Sequence, residues 1–227
     1  MRKIIIIGFP HCGTSILKSL IGHIDTVEEI VSETDKIEKE SEKESEKEFV
    51  LCKWPSADIK FFGELYEDYT KIFIIRNPLW VFSSLNLRHQ STHVIDYKFP
   101  STVYDYVETA KKFIYFRENP VDNIYTIKYE EIFENNNEKL KNILDSIGLR
   151  YDDSIFDNTK FQNRITNGPI SITKSKPSIT DHLRYRTYQI NQPLSSLNDP
   201  AKISLHPDQY LFFISDPTIN KLYDCRI

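Results

Sequence analysis

The stretch Gly8-Phe9-Pro10-His11-Cys12-Gly13-Thr14-Ser15 decides how this chain folds. Before it runs Ile4-Ile5-Ile6-Ile7, four β-formers in a row. After it comes the amphipathic segment Ile16-Leu17-Lys18-Ser19-Leu20-Ile21. That order predicts strand, tight glycine loop and helix. Such a loop turns several backbone N–H groups and a helix N-terminus toward one point, which suits a phosphate. The spacing is that of G-x-x-x-x-G-K-[ST], with Thr14 in the place of the lysine.

Outward from the loop, the pattern repeats. Phe49 to Lys53 reads as a short buried strand, and Ser56 to Asp68 as a helix with Ser56 as N-cap. Lys71-Ile72-Phe73-Ile74-Ile75-Arg76 is a second buried strand. Pro78 suits a first helical position, and Leu79 to Leu87 continue that helix. Thr102 to Arg117 is a longer helix with Val103, Tyr106, Val107, Ala110, Phe113 and Ile114 on one face. A strand over 123–127 follows, then a helix over 138–147 that Gly148 closes. Alternating strands and helices predict an α/β fold, a parallel sheet flanked by helices, with ligands at the carboxyl ends of the strands. The loop at 8–15, Lys53 and Arg76 then share one rim. Beyond Tyr151 the periodicity fades, and an irregular C-terminal region wrapped on the domain is expected.

The chain has 227 residues, which fits a single domain over 1–227 with a real core. A charged insertion at about 33–48 interrupts it, with eight acidic and four basic residues. Its charge of −4 equals that of the whole chain, so the remainder is balanced. Glu40–Lys43 and Glu44–Lys47 can pair at helical spacing, but no apolar face is present, so a solvated surface segment is expected. A net charge of −4 gives no support for a nucleic-acid-binding surface. No signal peptide or membrane span is visible, and Cys12, Cys52 and Cys225 match neither a zinc site nor a disulfide framework. A cytoplasmic protein is expected, without metal and without a membrane partner.

The chemistry turns on Arg76-Asn77-Pro78. In a P-loop ATPase or GTPase a buried strand of this kind ends in Asp, to organise Mg²⁺. Arg76 cannot hold a metal, but it can hold a second phosphate. Ser84, eight residues on, lies about two turns into the next helix and can offer a hydroxyl to the same anion.

On these residues the chain resembles the sulfotransferases that use 3′-phosphoadenosine 5′-phosphosulfate (PAPS). Their 5′-phosphosulfate loop, often P-K-S-G-T-T, is matched by Pro10-His11-Cys12-Gly13-Thr14-Ser15. Their 3′-phosphate motif, R-[DN]-P with a serine eight residues after the arginine, is matched by Arg76-Asn77-Pro78 and Ser84. A strand followed by Tyr129-Glu130-Glu131-Ile132, and a helix ending at Gly148-Leu149, match a third family pattern. The order holds over residues 3–149. The resemblance implies a P-loop-like fold, PAPS as co-substrate and adenosine 3′,5′-bisphosphate as product. Pro10, His11, Cys12, Gly13, Thr14 and Ser15 would line the phosphosulfate site. Arg76 and Ser84 would take the 3′-phosphate, and Tyr129 matches an adenine-contacting tyrosine.

Two departures stand out. The family has Lys or Arg where this chain has His11, and that cation stabilises the leaving oxygen. Its cytosolic branch has K-T-H-L-P after the second strand; here Lys53 matches the lysine, but Pro55 falls on the histidine that serves as general base. His11 and Lys53 are therefore the catalytic candidates, and Glu29, His89 and His93 are candidate bases. The acceptor is expected to be a small molecule or carbohydrate with a hydroxyl or amine. Two alternatives compete: a diverged P-loop small-molecule kinase, and a non-catalytic sulfonucleotide-binding protein.

Overall fold

The computed structural model describes residues 1–30, 46–92, 102–157, 196 and 198–226. Five strands form one parallel sheet: β1 (Arg2–Gly8), β2 (Val27–Glu29), β3 (Phe49–Trp54), β4 (Tyr69–Ile75) and β5 (Ile124–Lys128), in the order β2-β3-β1-β4-β5. The α-helices among the described residues are α1 (Thr14–Ile21), α2 (Pro78–Thr92), α3 (Val103–Glu118), α4 (Glu138–Ile147), α5 (Pro207–Ser215) and α6 (Pro217–Leu222). The expected α/β architecture is observed.

The isoleucine run explains why β1 sits in the middle. Side chains alternate across a strand, so a strand covered on both faces must be apolar at every position. Ile5 and Ile7 enter a core with Phe73, Ile75, Phe82, Tyr106, Phe113 and Phe213. Ile4 and Ile6 enter the opposite core with Leu17, Leu20, Leu51, Ile72, Leu140 and Leu144. Thus α2, α3, α5 and α6 cover one face and α1 and α4 the other. Burial of so much apolar surface at ~25 cal/mol per Å² is the main force holding the layers.

Local signals set the ends of several elements. Thr102 and Asp105 make a reciprocal capping box at the start of α3. Gly148 ends α4 in the left-handed region at φ 81°, donating to Leu144 and Asp145 carbonyls. The helix expected over Ser56–Asp68 is instead two 3₁₀ turns, Ile59–Phe62 and Glu64–Tyr66. Asp58 rather than Ser56 caps the first, and extended Gly63 (φ −96°, ψ 178°) separates them. The C-terminal region is less irregular than expected. Its apolar island at 210–214 lies in α5, and Phe213, Ile219, Leu222, Tyr223 and Cys225 are core residues. Most of the charged repeat, with its Glu40–Lys43 pair, and the apolar island at 170–172 lie outside the described residues.

Candidate active site at the carboxyl rim of the sheet

The chain leaves β1 at the centre of the sheet and visits β2 and β3 on one side, then β4 and β5 on the other. The carboxyl ends of β1 and β4 therefore flank the crevice where such sheets bind ligands. The loop after β1 is tightly wound. His11 (φ 64°) and Gly13 (φ 93°) both adopt left-handed backbone, and Cys12 N–H donates to Phe9 O at 3.2 Å. Gly13 is the N-cap of α1 and provides no side chain to close its end. The N–H groups of Thr14, Ser15 and Ile16, in the first turn, have no carbonyl within the helix to reach.

Glycine is required at position 13 for two reasons. Its backbone is left-handed, and a Cβ there would stand 2.4 Å from Cδ2 of Tyr129. Tyr129 is fully buried. Its ring floors the loop, carries the Arg76 guanidinium at 4.3 Å, and meets Phe133 edge-on at 5.2 Å. A ring so placed supports the loop and the arginine from beneath.

Three cross-element hydrogen bonds gather the other candidates. His11 Nδ1 lies 2.7 Å from Ser84 Oγ, joining the loop to α2. Lys53 Nζ donates to Ser15 Oγ at 2.8 Å, joining the end of β3 to α1. Arg76, just past β4, donates from Nε and Nη2 to Asn198 Oδ1 at 2.9 and 2.7 Å. Lys53 and Arg76 are both buried, at 5% and 7% exposure, so their cationic heads are held and partly stripped of water. The structure thus brings His11, Ser15, Lys53, Arg76 and Ser84 to one rim. Pro10 lies on the same loop, and Thr14 is buried at the first turn of α1.

Not every candidate faces that rim. The Cys12 side chain is buried in the core, and burial pushes its thiol well above its ordinary pKa, so only its backbone can line the loop. Glu29 pairs with Lys18 at 3.3 Å and packs on Gly22, where a Cβ would stand 2.4 Å from its Oε2; that carboxylate has a structural partner. His93 and the side chain of His89 lie outside the described residues.

Three residues that the sequence did not single out complete the surroundings. Tyr106 donates its hydroxyl to the Arg76 carbonyl and stacks edge-on against Phe9, fixing the arginine and the loop through one ring. Glu130 Oε1 accepts from the Asn77 N–H at 3.1 Å and from Asn198 Nδ2 at 2.8 Å. Glu130 lies within the quoted motif Tyr129-Glu130-Glu131-Ile132 but is given no role there, whereas Asn198 comes from a contact across 122 positions that no local pattern reveals.

A cavity of about 290 Å³ lies elsewhere, lined by Glu131, Glu134, Asn135, Glu138, Lys139 and Asn142. Its acidic wall does not suit an anion. Among the described residues no His, Cys, Asp and Glu group could hold a metal ion, all three cysteines are buried, and no helix is long and apolar enough to cross a membrane.

No protein-family model and no curated protein matches the sequence. Solved structures do match the fold. The mouse sulfotransferase SULT7A1 complexed with PAP superposes with a TM-score of 0.56 at 17% identity, over 94% of this chain and 81% of that one. The sulfotransferase domain of the olefin synthase from Synechococcus PCC 7002 gives a TM-score of 0.51 at 15% identity, over 84% and 93%. Identities this low leave the likeness as one of fold, carried here by the five-stranded parallel sheet flanked by helices: the chain has the α/β fold of the sulfotransferases.

Proposed function

We propose that this protein is a sulfotransferase that moves the sulfuryl group of PAPS to a hydroxyl or amine of a small-molecule or carbohydrate acceptor. The observation that carries the reading is the gathering of His11, Ser15, Lys53, Arg76 and Ser84 at the rim beside an uncapped helix end. The phosphosulfate would lie against Gly13, Thr14 and Ser15, met by backbone N–H and hydroxyl groups. Arg76 would hold the 3′-phosphate side-on, with Ser84 beside it. The fold neighbour complexed with PAP, adenosine 3′,5′-bisphosphate, supports the choice of nucleotide.

In this reading the acceptor oxygen or nitrogen attacks sulfur and releases its proton to solvent, while the bond to the bridging phosphate oxygen breaks and PAP leaves. Lys53 and His11 neutralise charge on the transferring group and on the departing oxygen. A buried lysine in a dry site is well suited to that task. Catalysis is positioning and electrostatics, and no metal is needed for it. Cys12 is left with a packing role and Tyr129 with a supporting one. The cytoplasm is the compartment this reading assigns, in keeping with three cysteines too far apart in sequence to suggest a disulfide framework.

A diverged kinase is the competing enzyme reading, and Arg76 counts against it, since an arginine follows β4 where such enzymes place the aspartate that organises Mg²⁺. Thermal stabilisation by PAP against ATP with Mg²⁺ separates the two. PAP at 100 times its Kd stabilises by about 2.7 kcal/mol. Stabilisation by ATP–Mg²⁺ and not by PAP overturns the proposal. Binding of PAP without turnover across a panel of acceptors favours a non-catalytic sulfonucleotide-binding protein.

A further inference from the structure

Arg76 presents an edge rather than a point. Its Nε and Nη2 are parallel donors, the pair that takes two oxygens of a phosphate side-on. Both are directed at a single acceptor, Oδ1 of Asn198, at 2.9 and 2.7 Å. The amide has only one orientation that satisfies its neighbours. Its oxygen faces two donors, and its Nδ2 faces the Glu130 carboxylate at 2.8 Å. Glu130 Oε1 also accepts from the Asn77 N–H, while Oε2 is buried with no partner among the described residues. Asn198 is thus wedged between a cation and an anion, and it covers the edge of Arg76 that an anion would use.

The chain around Asn198 is pinned along α2. Asp199 caps the turn Pro200–Lys202. The Ser204 N–H donates to Ser83 Oγ at 2.8 Å. Asn86 Nδ2 donates to Ser204 O at 3.0 Å and to Gln209 Oε1 at 2.9 Å. Residues 198–209 therefore form a strap whose far end is held by neutral hydrogen bonds to α2, and whose near end is held by Arg76 and Glu130. The strap bond to Ser83 is one residue from Ser84, which meets His11.

We propose that Asn198 is a displaceable stopper on the 3′-phosphate subsite: its amide and a nucleotide 3′-phosphate are alternative occupants of the same edge of Arg76. The inference rests on the sulfonucleotide reading and adds to it a competitor built into the chain. A phosphate dianion is the stronger partner for a guanidinium, because both charges take part in the bond. The amide is weaker but tethered, so it competes at the effective concentration its strap provides. A nucleotide without a 3′-phosphate has no means of moving Asn198. The stopper therefore weakens binding only of ligands that carry this group.

Calorimetric titration of the full chain with PAP and with AMP, on the wild type and on the Asn198→Ala and Asn198→Asp variants, tests this. Circular dichroism checks that all three proteins are folded. Asn198→Ala is expected to bind PAP about three- to tenfold tighter, as one competing set of hydrogen bonds to a charged group is removed, with AMP unchanged. Asn198→Asp places a carboxylate on the guanidinium and is expected to weaken PAP at least about tenfold. Weaker PAP binding by Asn198→Ala makes Asn198 a ligand to the phosphate and overturns the stopper. Equal PAP affinity in all three proteins overturns it as well, while leaving the sulfonucleotide reading intact. Absence of PAP binding in all three overturns both.

Discussion

Replacing Gly13 by alanine tests the packing of the loop on Tyr129, with Gly148 as an internal control. Both glycines have left-handed backbone, at φ 93° and 81°. Holding an L-residue there costs about 1–2 kcal/mol. Alanine also restricts the unfolded chain, which returns about 0.4–1 kcal/mol. At Gly148 the new Cβ meets only the far end of the Arg2 side chain, at 3.3 Å, and that end can move. Gly148→Ala should therefore lose about 1 kcal/mol or less, from these two backbone contributions. At Gly13 the new Cβ would stand 2.4 Å from a ring carbon of Tyr129, which is fully buried and held between Arg76 and Phe133. Overpacking of this kind costs about 1–3 kcal/mol more. Gly13→Ala should thus lose about 1–4 kcal/mol in total. For a chain of this size that is a fall in Tm on the order of 10 °C. Equilibrium urea unfolding measures it, with unchanged slope as the check that only stability moved. Loss of PAP-induced stabilisation should accompany it. If the two variants lie within about 0.5 kcal/mol of each other, the loop does not rest on Tyr129 as described.

Further outcomes follow from the same contacts. Arg76→Ala should weaken PAP about 10- to 150-fold in a titration and leave AMP unchanged, since a charged hydrogen-bond pair is worth about 1.5–3 kcal/mol; equal affinity for PAP refutes the assignment. Tyr106→Phe leaves the buried Arg76 carbonyl unsatisfied and should cost about 1–3 kcal/mol in urea unfolding, with weaker PAP binding beside it; a neutral result would show that the ring alone positions Arg76. Burial pushes the pKa of Glu131 up, but Arg117 and the Lys128 N–H outweigh it and hold the carboxyl below its usual 4.5. Its contribution is then full above pH 4.5 and fades as pH falls through the lower folded value. Glu131→Gln should therefore cost about 1–2 kcal/mol at neutral pH, and the gap to the wild type should close in acid; a gap that widens in acid contradicts the sign.

What the sequence revealed depended on how local the cause was. The β1–loop–α1 unit and the closure of α4 at Gly148 follow from apolar runs and single glycines, so they could be read directly. The edge strand β2 has three residues and no pattern long enough to register. The stretch 56–68 has helical composition, yet Gly63 in an extended conformation breaks it into two turns. The C-terminal helices carried legible start signals, Pro207 after His206 and Pro217 after Asp216, but each is short and their apolar faces are filled by tertiary packing. At the site, the residues on strand ends were legible because the fold class places them. Tyr106, Glu130 and Asn198 act through contacts set by how distant segments meet, and such contacts leave no trace in spacing.

The ladder between β1 and β4 has one more consequence. Gly8 pairs with Ile74, and a Cβ on Gly8 would stand 2.3 Å from the Ile74 carbonyl oxygen, so the two strands are pressed together where both loops depart. Parallel neighbours lie about 4.8 Å apart, and a slip of a single residue would send Arg76 to the opposite face. The separation between the glycine loop and Arg76 is thus a property of the backbone, like the gap of a caliper. On the proposed reading, a phosphate-bearing group would be held at each jaw, and the protein would gauge its nucleotide by length before reading any base. Substitutions at the Gly8–Ile74 pair would then alter which bisphosphates fit, although neither residue need touch one.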